Sequence, residues 1–290
     1  MPNSMTLQEL VFPTKLPLLE SELLAALILK KPREYILTHP QLTVTPSTIR
    51  RYHQLSKKLL AGWPFAYLSG QKEFYSLNFK VSPAVLIPRP ETEMTVDKVI
   101  ETLKNLDTPC TVIDIGTGSG AIIIAASYNT KRLVPNKYRK TSFWATDISP
   151  AALRIAKQNA SVYKLNKKIK FRLGNLLLAI TAVINKNIDK EIIITANLPY
   201  LNPKQIKESK TIQKEPTLAL DGGYDGLHLY RALFKQLKSL KKTKHLQLLC
   251  EIDPSQKAKM ILLAQSYFVQ AKIRSHKDLA GRWRLIEIKN

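Results

Sequence analysis

From residue 17 to about residue 70, apolar residues recur at helical spacing, first as Leu18, Leu19, Leu23, Leu24 and Leu27, then as Ile49, Tyr52, Leu55 and Leu59. Pro32, Pro40 and Pro46 cut this stretch into short helices, because proline has no amide proton to donate and crowds the preceding turn. Thr45-Pro46-Ser47 supplies cap chemistry before the second periodic run. The pattern predicts a small helical domain over residues 1–72, ended by Pro64 and a short coda. From Glu73 to Val81 large apolar residues alternate with polar ones, a strand or hairpin signature, and the chain then meets Pro83, Pro88 and Pro90. Residues 73–94 are expected to form a β-hairpin and proline-rich linker.

Beyond residue 95, strand-like runs appear at 111–114, 143–147, 168–173, 191–196, 246–252 and 284–288, with helix-compatible segments between most of them. That alternation predicts an α/β, doubly wound, Rossmann-like domain over residues 95–290. The last run, reached after a short polar turn, is expected to be an antiparallel edge strand. No apolar run reaches membrane-spanning length. The N-terminus carries Glu9, Glu20 and Glu22 rather than a basic region followed by an apolar stretch, so a cytoplasmic protein with no membrane partner is expected.

Composition changes this picture in two respects. The 45 Lys and Arg against 22 Asp and Glu give a formal net charge of +23, enough to attract phosphate backbones at moderate salt. Lysines such as Lys137, Lys140, Lys164, Lys167, Lys168, Lys170, Lys241, Lys242 and Lys244 are dispersed without a compact motif. A ribosome or RNA contact through a basic surface and a merely Lys-rich composition both stay open. Only Cys110 and Cys250 are present, without CxxC or histidine spacing, which argues against a disulfide framework or a metal site.

Two segments carry the candidate chemistry. Asp114-Ile115-Gly116-Thr117-Gly118-Ser119-Gly120 follows the β-type run Thr111-Val112-Ile113 and opens into an apolar helix, so it reads as strand, glycine turn, helix. Its glycines alternate, unlike the dinucleotide spacing or the phosphate loop, and suit close approach to a nucleoside that carries no pyrophosphate. Asp147, at the end of Phe143-Trp144-Ala145-Thr146, can accept ribose hydroxyls. Either Asp147 or Ser149 can also cap the helix that Pro150 begins. Asn175 is a candidate adenine contact or a plain turn residue. The second segment, Asn197-Leu198-Pro199-Tyr200, follows Glu191-Ile192-Ile193-Ile194-Thr195-Ala196, at the carboxyl end of a strand where open α/β sheets bind ligands. A planar amide or amine nitrogen has a delocalised lone pair. The Asn197 oxygen and the Leu198 carbonyl could take its two protons and turn that lone pair toward a methyl donor, with the Tyr200 ring packing beside it. The alternative reading of the four residues is a turn.

From about Leu59 to the C-terminus the sequence resembles the PrmC/HemK family of release factor glutamine methyltransferases. The resemblance rests on Gly62 to Gly70, Glu73-Phe74-Tyr75, Val85 to Glu93, Asp114 to Gly120, Asn197 to Tyr200, Glu215-Pro216, Leu220 to Leu227 and Lys277 to Arg282, all in order. It implies transfer of a methyl group from S-adenosylmethionine, without metal, to the glutamine of a Gly-Gly-Gln motif in peptide chain release factors, with the N-terminal domain contacting the partner. It further implies a donor site at Gly116, Thr117, Gly118, Ser119, Gly120, Asp147 and Asn197, to which the reading of Asn175 as an adenine contact adds an eighth residue. The glutamine site would comprise Asn197, Leu198, Pro199 and Tyr200. Arg89 would lie beside the active site, as a loop anchor or in an inter-domain salt bridge.

Three departures from the family pattern stand out. Leu198 replaces the usual proline, Asn175 stands where an acid is common, and Lys131 to Lys140 reads as an inserted surface loop. At Leu198 only the carbonyl is expected to matter, the side chain being incidental. Asn-Leu-Pro-Tyr also resembles the motif of rRNA adenine dimethyltransferases, which makes an RNA or DNA adenine N6-methyltransferase the principal rival. The Arg89 to Glu93 and Glu215 to Leu227 blocks, which adenine enzymes do not need, weigh against it. A binding protein that has lost catalysis is opposed by the retained Asn197, Tyr200 and Asp147.

Overall fold

The structure, a computed structural model, describes residues 5–12, 15–187, 189–240 and 245–290. Lys241, Lys242 and Lys244 of the basic set lie outside the described residues. Two compact units divide the chain: Met1–Gly70 with Lys210–Lys214, and Gln71–Ser209 with Glu215–Asn290.

In the first unit, strands β1 (Met5–Thr6) and β2 (Thr43–Val44) pair antiparallel beside helices α1 (Leu7–Val11), α2 (Leu18–Leu29), α3 (Arg33–Thr38), α4 (Pro46–Leu60) and α5 (Phe65–Ser69). The two periodic runs form α2 and α4, and their Leu24, Ile49 and Tyr52 join Leu7, Leu10 and Ile36 in one core. Leu18 and Leu19 fall outside that stripe and stay exposed. Thr45 caps α4, its hydroxyl accepting from the Thr48 N–H at 3.3 Å, and Pro46 takes the first helical position, where its missing N–H costs nothing.

The second unit begins with the hairpin β3 (Gln71–Phe74) and β4 (Leu77–Lys80), turned by Tyr75 and Ser76, both at positive φ as a tight two-residue hairpin requires. Helix α6 (Glu93–Asn105) leads into β5 (Cys110–Ile115), α7 (Ala121–Leu133), α8 (Pro135–Lys140), β6 (Thr141–Asp147), α9 (Pro150–Val162), β7 (Ile169–Leu173), α10 (Thr181–Lys186) and β8 (Glu191–Ala196). After α11 (Pro203–Glu208) come α12 (His228–Ser239), β9 (His245–Glu251), α13 (Lys257–Tyr267), β10 (Lys272–Lys277) and β11 (Trp283–Lys289).

These strands form a seven-stranded sheet in the order β10-β11-β9-β8-β5-β6-β7, parallel from β9 to β7. Alternate residues of its central strands enter two different cores. Ile113, Ile192, Ile194 and Leu248 pack with α12 residues Leu233 and Phe234, while Val112, Ile193 and Leu249 pack with Val96, Val99 and Ile123. Burial on both faces explains why these strands read as continuous apolar runs. The hairpin belongs to this unit, since Phe74, Leu77 and Phe79 enter the second core.

Two sequence expectations need correction. β11 is antiparallel, but it is not at the edge: β10, whose polar Lys272 to Lys277 sequence gave no strand signal, pairs outside it. The Lys131 to Lys140 segment is not a loop; it completes α7 and forms α8, started by Pro135. Cys110 and Cys250 are buried free thiols on β5 and β9. Among the described residues, no helix is long and apolar enough to cross a membrane.

Candidate active site

The strand order reverses beside β5: β6 and β7 continue to one side, and β8 returns to the other. A crevice opens at the carboxyl ends of strands at such a point. Here it is a cavity of about 320 Å³, lined by the turn after β5 (Gly116 to Ser119), the end of β6 (Asp147 to Ser149), Gly174 to Leu176 after β7, and Asn197 to Pro199 after β8. Its remaining wall comes from the segment before α6, including Val85, Pro88, Arg89 and Thr92, and from Pro216, Leu218 and Ala219. The volume is in the range of small-molecule sites.

The glycine turn is held from below by Asp114, only 1% exposed, which accepts from the hydroxyls of Thr117 (2.6 Å) and Thr195 (2.7 Å) and so ties β5 to β8. Burial pushes the Asp114 carboxyl up to about 6 against the effect of those two hydrogen bonds. Asn159 on α9, equally buried, donates to the Ser119 carbonyl (2.8 Å) and the Lys80 carbonyl (3.1 Å), which fixes the hairpin against the turn. Asp147 reaches across: one carboxyl oxygen accepts from the Gly118 N–H (2.8 Å), the other from the Ser149 N–H (2.9 Å). Burial raises its pKa while those backbone donors lower it. Ser149 is the cap of α9, accepting from the Ala152 N–H at 3.2 Å, which leaves Asp147 facing the cavity.

Seven of the eight residues expected to hold the donor line this one cavity; Gly120 does not. It starts α7 at positive φ and packs against Ile124 and Ala156, so its role is in helix packing. Asn197, Leu198, Pro199 and Arg89 line the cavity as well, whereas Tyr200 does not. Tyr200 instead turns its hydroxyl to the Glu251 carboxylate at 3.2 Å. The Leu198 side chain, expected to be incidental, is 2% exposed and belongs to the sheet core, packed under the glycine turn. Arg89 pairs with Glu215, whose other oxygen accepts from the Ile87 N–H at 3.1 Å. Both partners lie in the second unit, so the pair anchors the wall of the cavity and is not an inter-domain bridge.

Four residues outside the sequence-derived set support this site. Tyr230, fully buried on α12, has its hydroxyl within hydrogen-bond reach of the Ala196 and Glu251 carbonyls and accepts from the Leu198 N–H at 3.4 Å, joining the ends of β8 and β9. Gly222 backs the second segment: a Cβ there would stand 2.5 Å from the Pro199 carbonyl oxygen and 2.7 Å from Tyr200 Cα. No side chain fits in that space. Thr92 accepts from the Asn197 side-chain N–H₂ at 3.1 Å. Glu251 ends β9 at 2% exposure, and burial pushes its carboxyl up to about 7. A charged residue closing an apolar β-run was the available signal for Glu251, the same signal that marks Asp147.

Among the described residues no group of three or more His, Cys, Asp and Glu could hold a metal ion. The alternating glycines, the apolar walls and a carboxylate already oriented by backbone N–H groups fit an uncharged ribose and a flat base.

A family model described as the PrmC N-terminal domain matches residues 13–70, and one described as a methyltransferase domain matches residues 106–281. The release factor glutamine methyltransferase of Dictyoglomus turgidum is 34% identical over 272 residues, covering 93% of this chain and 90% of that one. That of Coxiella burnetii is 34% identical over 280 residues, covering 96% and 94%. Among solved structures, the hMettl16 catalytic domain in complex with MAT2A 3'UTR hairpin 1 is similar with a TM-score of 0.57 at 17% identity, covering 75% of each chain. A human methyltransferase 10 domain containing protein is similar with a TM-score of 0.52 at 17% identity, covering 74% of this chain and 88% of that one. At these identities the structural likeness concerns the methyltransferase fold alone.

Proposed function

Since the chain belongs to the family of release factor glutamine methyltransferases, we propose that it methylates the side-chain amide nitrogen of the glutamine in the Gly-Gly-Gln motif of a peptide chain release factor. The observation that carries this reading is that Asn197, Leu198 and Pro199 line the same cavity as the glycine turn and Asp147. Acceptor groups for a planar nitrogen and a nucleoside-shaped pocket therefore share one space. S-adenosylmethionine, as the donor, supplies a methyl group activated on a sulfonium centre.

The residues of the chain do the rest. Gly116 and Gly118 allow close backbone approach to the donor, Asp147 accepts from ribose hydroxyls, and Asn175, which lines the same cavity, contacts the adenine. The Asn197 side-chain oxygen and the Leu198 carbonyl accept the two protons of the glutamine amide. Its lone pair is then drawn out of conjugation with the amide carbonyl for in-line attack: the new N–C bond would form as the methyl carbon's bond to the sulfonium sulfur breaks, the sulfur keeping that electron pair, and one amide proton would pass from the nitrogen to solvent. Pro199 walls the amide, and Tyr200, outside the cavity, braces the segment through its hydroxyl on Glu251. Arg89 shapes the lip of the pocket through Glu215.

Partner contact is assigned to the N-terminal domain, residues 1–72, and the work is cytoplasmic. A weaker contact with RNA is assigned to the β7 side of the sheet. Every charged residue from 131 to 173 except Asp147 is Lys or Arg, and Lys164, Lys167, Lys170 and Arg172 are exposed there. Such a contact neutralises phosphates and weakens steeply with salt.

Mass spectrometry of a release factor incubated with the enzyme and S-adenosylmethionine tests the main reading. A single methyl group on the Gly-Gly-Gln glutamine is expected. Transfer to adenine in RNA or DNA, with glutamine left unmodified, would replace it by the adenine reading.

A further inference from the structure

Asn197 can orient a substrate amide only if its own amide is oriented. The side chain is nearly symmetric in shape, and rotation by half a turn would offer the substrate a donor N–H₂ instead of an acceptor oxygen. Something in the protein must choose between the two. The Nδ2 group donates to Thr92 Oγ1 at 3.1 Å. A threonine hydroxyl, however, can either accept or donate, so Thr92 alone selects nothing.

The selection comes from one step farther back. Glu251 lies at the end of β9, next to β8, and is 2% exposed. Its Oε1 accepts from the Tyr200 hydroxyl, while its Oε2 is buried without a hydrogen-bond partner of regular geometry. Hydrogen bonding from the Thr92 side chain lowers the Glu251 carboxyl against the effect of burial. A carboxylate that draws the Thr92 proton leaves only a lone pair of Oγ1 facing Asn197. That lone pair accepts one Nδ2 proton and turns Oδ1 toward the cavity. The same carboxylate holds Tyr200, so one buried charge governs both ends of the Asn197–Tyr200 segment.

We infer that Thr92 and Glu251 are positioning residues that set the direction of the Asn197 side-chain amide, making its oxygen the acceptor for the reacting nitrogen. The inference rests on the methyltransferase reading for its consequence, but the orientation itself is a property of the free protein. Neither residue need touch substrate. Buried second-layer groups of this kind act by locking a reactive side chain within a narrow range of angles, and misplacement of about 1 Å can cost up to about 100-fold in rate.

The test compares Thr92→Val, which keeps shape and removes the hydroxyl, with Thr92→Ser, which keeps the hydroxyl. Two readouts are used. The first is steady-state methylation of a release factor: Thr92→Val should lose roughly 10- to 100-fold in kcat, with donor affinity and the KM for release factor near wild type, and Thr92→Ser should recover most of the loss. The second needs no activity: in 15N-labelled protein, the Asn197 side-chain N–H₂ signals, assigned through Asn197→Ala, should exchange with water faster in Thr92→Val than in wild type or Thr92→Ser. Unchanged exchange in Thr92→Val, or Thr92→Ser failing as badly as Thr92→Val in both readouts, overturns the inference. Wild-type protein that leaves release factor unmodified while the exchange pattern holds would instead sink the functional reading and leave the positioning intact.

Discussion

Leu198 and Gly116 meet side chain to backbone: Leu198 Cδ2 lies 3.1 Å from where a Cβ on Gly116 would stand, and Gly116 holds φ at +67°. The segment proposed to orient the amide therefore forms part of the floor under the turn proposed to hold the donor. Both requirements, a left-handed backbone and a close neighbour, select glycine at this position.

Gly116→Ala should accordingly lose roughly 1–3 kcal/mol from backbone strain alone and weaken donor binding as Leu198 is pushed aside. Leu198→Ala should cost about 2–5 kcal/mol by opening a cavity in the core. In the double variant the alanine methyl gains room, so the two losses should add to less than their sum. Thermal denaturation of the three variants checks this, and strict additivity would show that the two residues are not in contact. Leu198→Pro keeps the carbonyl but removes the N–H that reaches Tyr230 and much of the packing. It should lower the melting temperature while keeping kcat.

Asp147→Ala should reduce donor affinity strongly, because the buried ribose hydroxyls would lose a charged acceptor. It should also loosen the turn, since Asp147 accepts from the Gly118 N–H. Calorimetric titration with S-adenosylhomocysteine measures the loss directly. An unchanged Kd would remove Asp147 from the site.

Asn197→Ala should abolish methylation while most donor affinity remains. Losing one oriented group at the reacting centre costs about 2.7–4 kcal/mol of barrier, by analogy with the removal of an oxyanion-hole donor. Single-turnover assays on release factor, paired with donor titration, separate the two effects. Parallel losses in rate and donor affinity would mean that Asn197 serves the donor instead.

Arg89→Met leaves the Glu215 carboxylate, 4% exposed, with only the Ile87 N–H as a direct partner among the described residues. The stability cost should fall below the roughly 3–5 kcal/mol of a fully buried pair, because the Arg89 side chain is 35% exposed. Glu215→Gln combined with Arg89→Met should recover part of it by removing the stranded charge. Urea denaturation of the single and double variants decides. A double variant weaker than Arg89→Met would contradict the pairing.

The pH profiles of stability and turnover should run in opposite directions. Burial raises Glu251 from 4.5 to about 7, with the Thr92 and Tyr200 hydroxyls and Arg284 lowering it and Glu91 raising it. Tyr230 also faces this residue, through its backbone carbonyl. Asp114 is raised from 3.8 to about 6 in the same way. In the window between each pair of values, the folded state holds a proton that the unfolded state has released. This contribution to stability is full below the unfolded pKa and is lost as pH rises through the folded one. Turnover, which needs the Glu251 carboxylate, should rise through about pH 7. Glu251→Gln should flatten its share of both trends, and a wild-type turnover profile level from pH 6 to 8 would contradict the assignment.

Much of this protein was legible along the chain because the physics involved is local. The α4 stripe follows from a repeat of 3.6 residues, the Thr45-Pro46 start from cap chemistry, and the central strands from apolar β-type runs, whereas α2 is apolar nearly all round and buries Ser21, Glu22, Leu24, Ala25 and Ala26 instead of the leucine stripe its spacing suggests. The glycine turn and the Asn197–Tyr200 segment could be read because each follows its own strand immediately. What resisted reading lacked a local signature. β10 is a polar strand that exists because β11 offers it an edge, and the Lys131 to Lys140 segment looked like a loop because its charges mask two short helical pieces.

The sequence by itself determined most of the elements, their α/β order and the two segments that bear the chemistry, since dihedral preference and burial pattern act between near neighbours. Only the tertiary structure decided how those segments act together. The reversal of strand order beside β5 brings residues eighty apart into one cavity. It turns Leu198 from a replaceable side chain into the floor of the glycine turn, withdraws Tyr200 from the cavity to Glu251, and sets Thr92 against Asn197. Contacts of this kind depend on three-dimensional close packing and on the direction of individual hydrogen bonds, neither of which leaves a periodic trace along the chain.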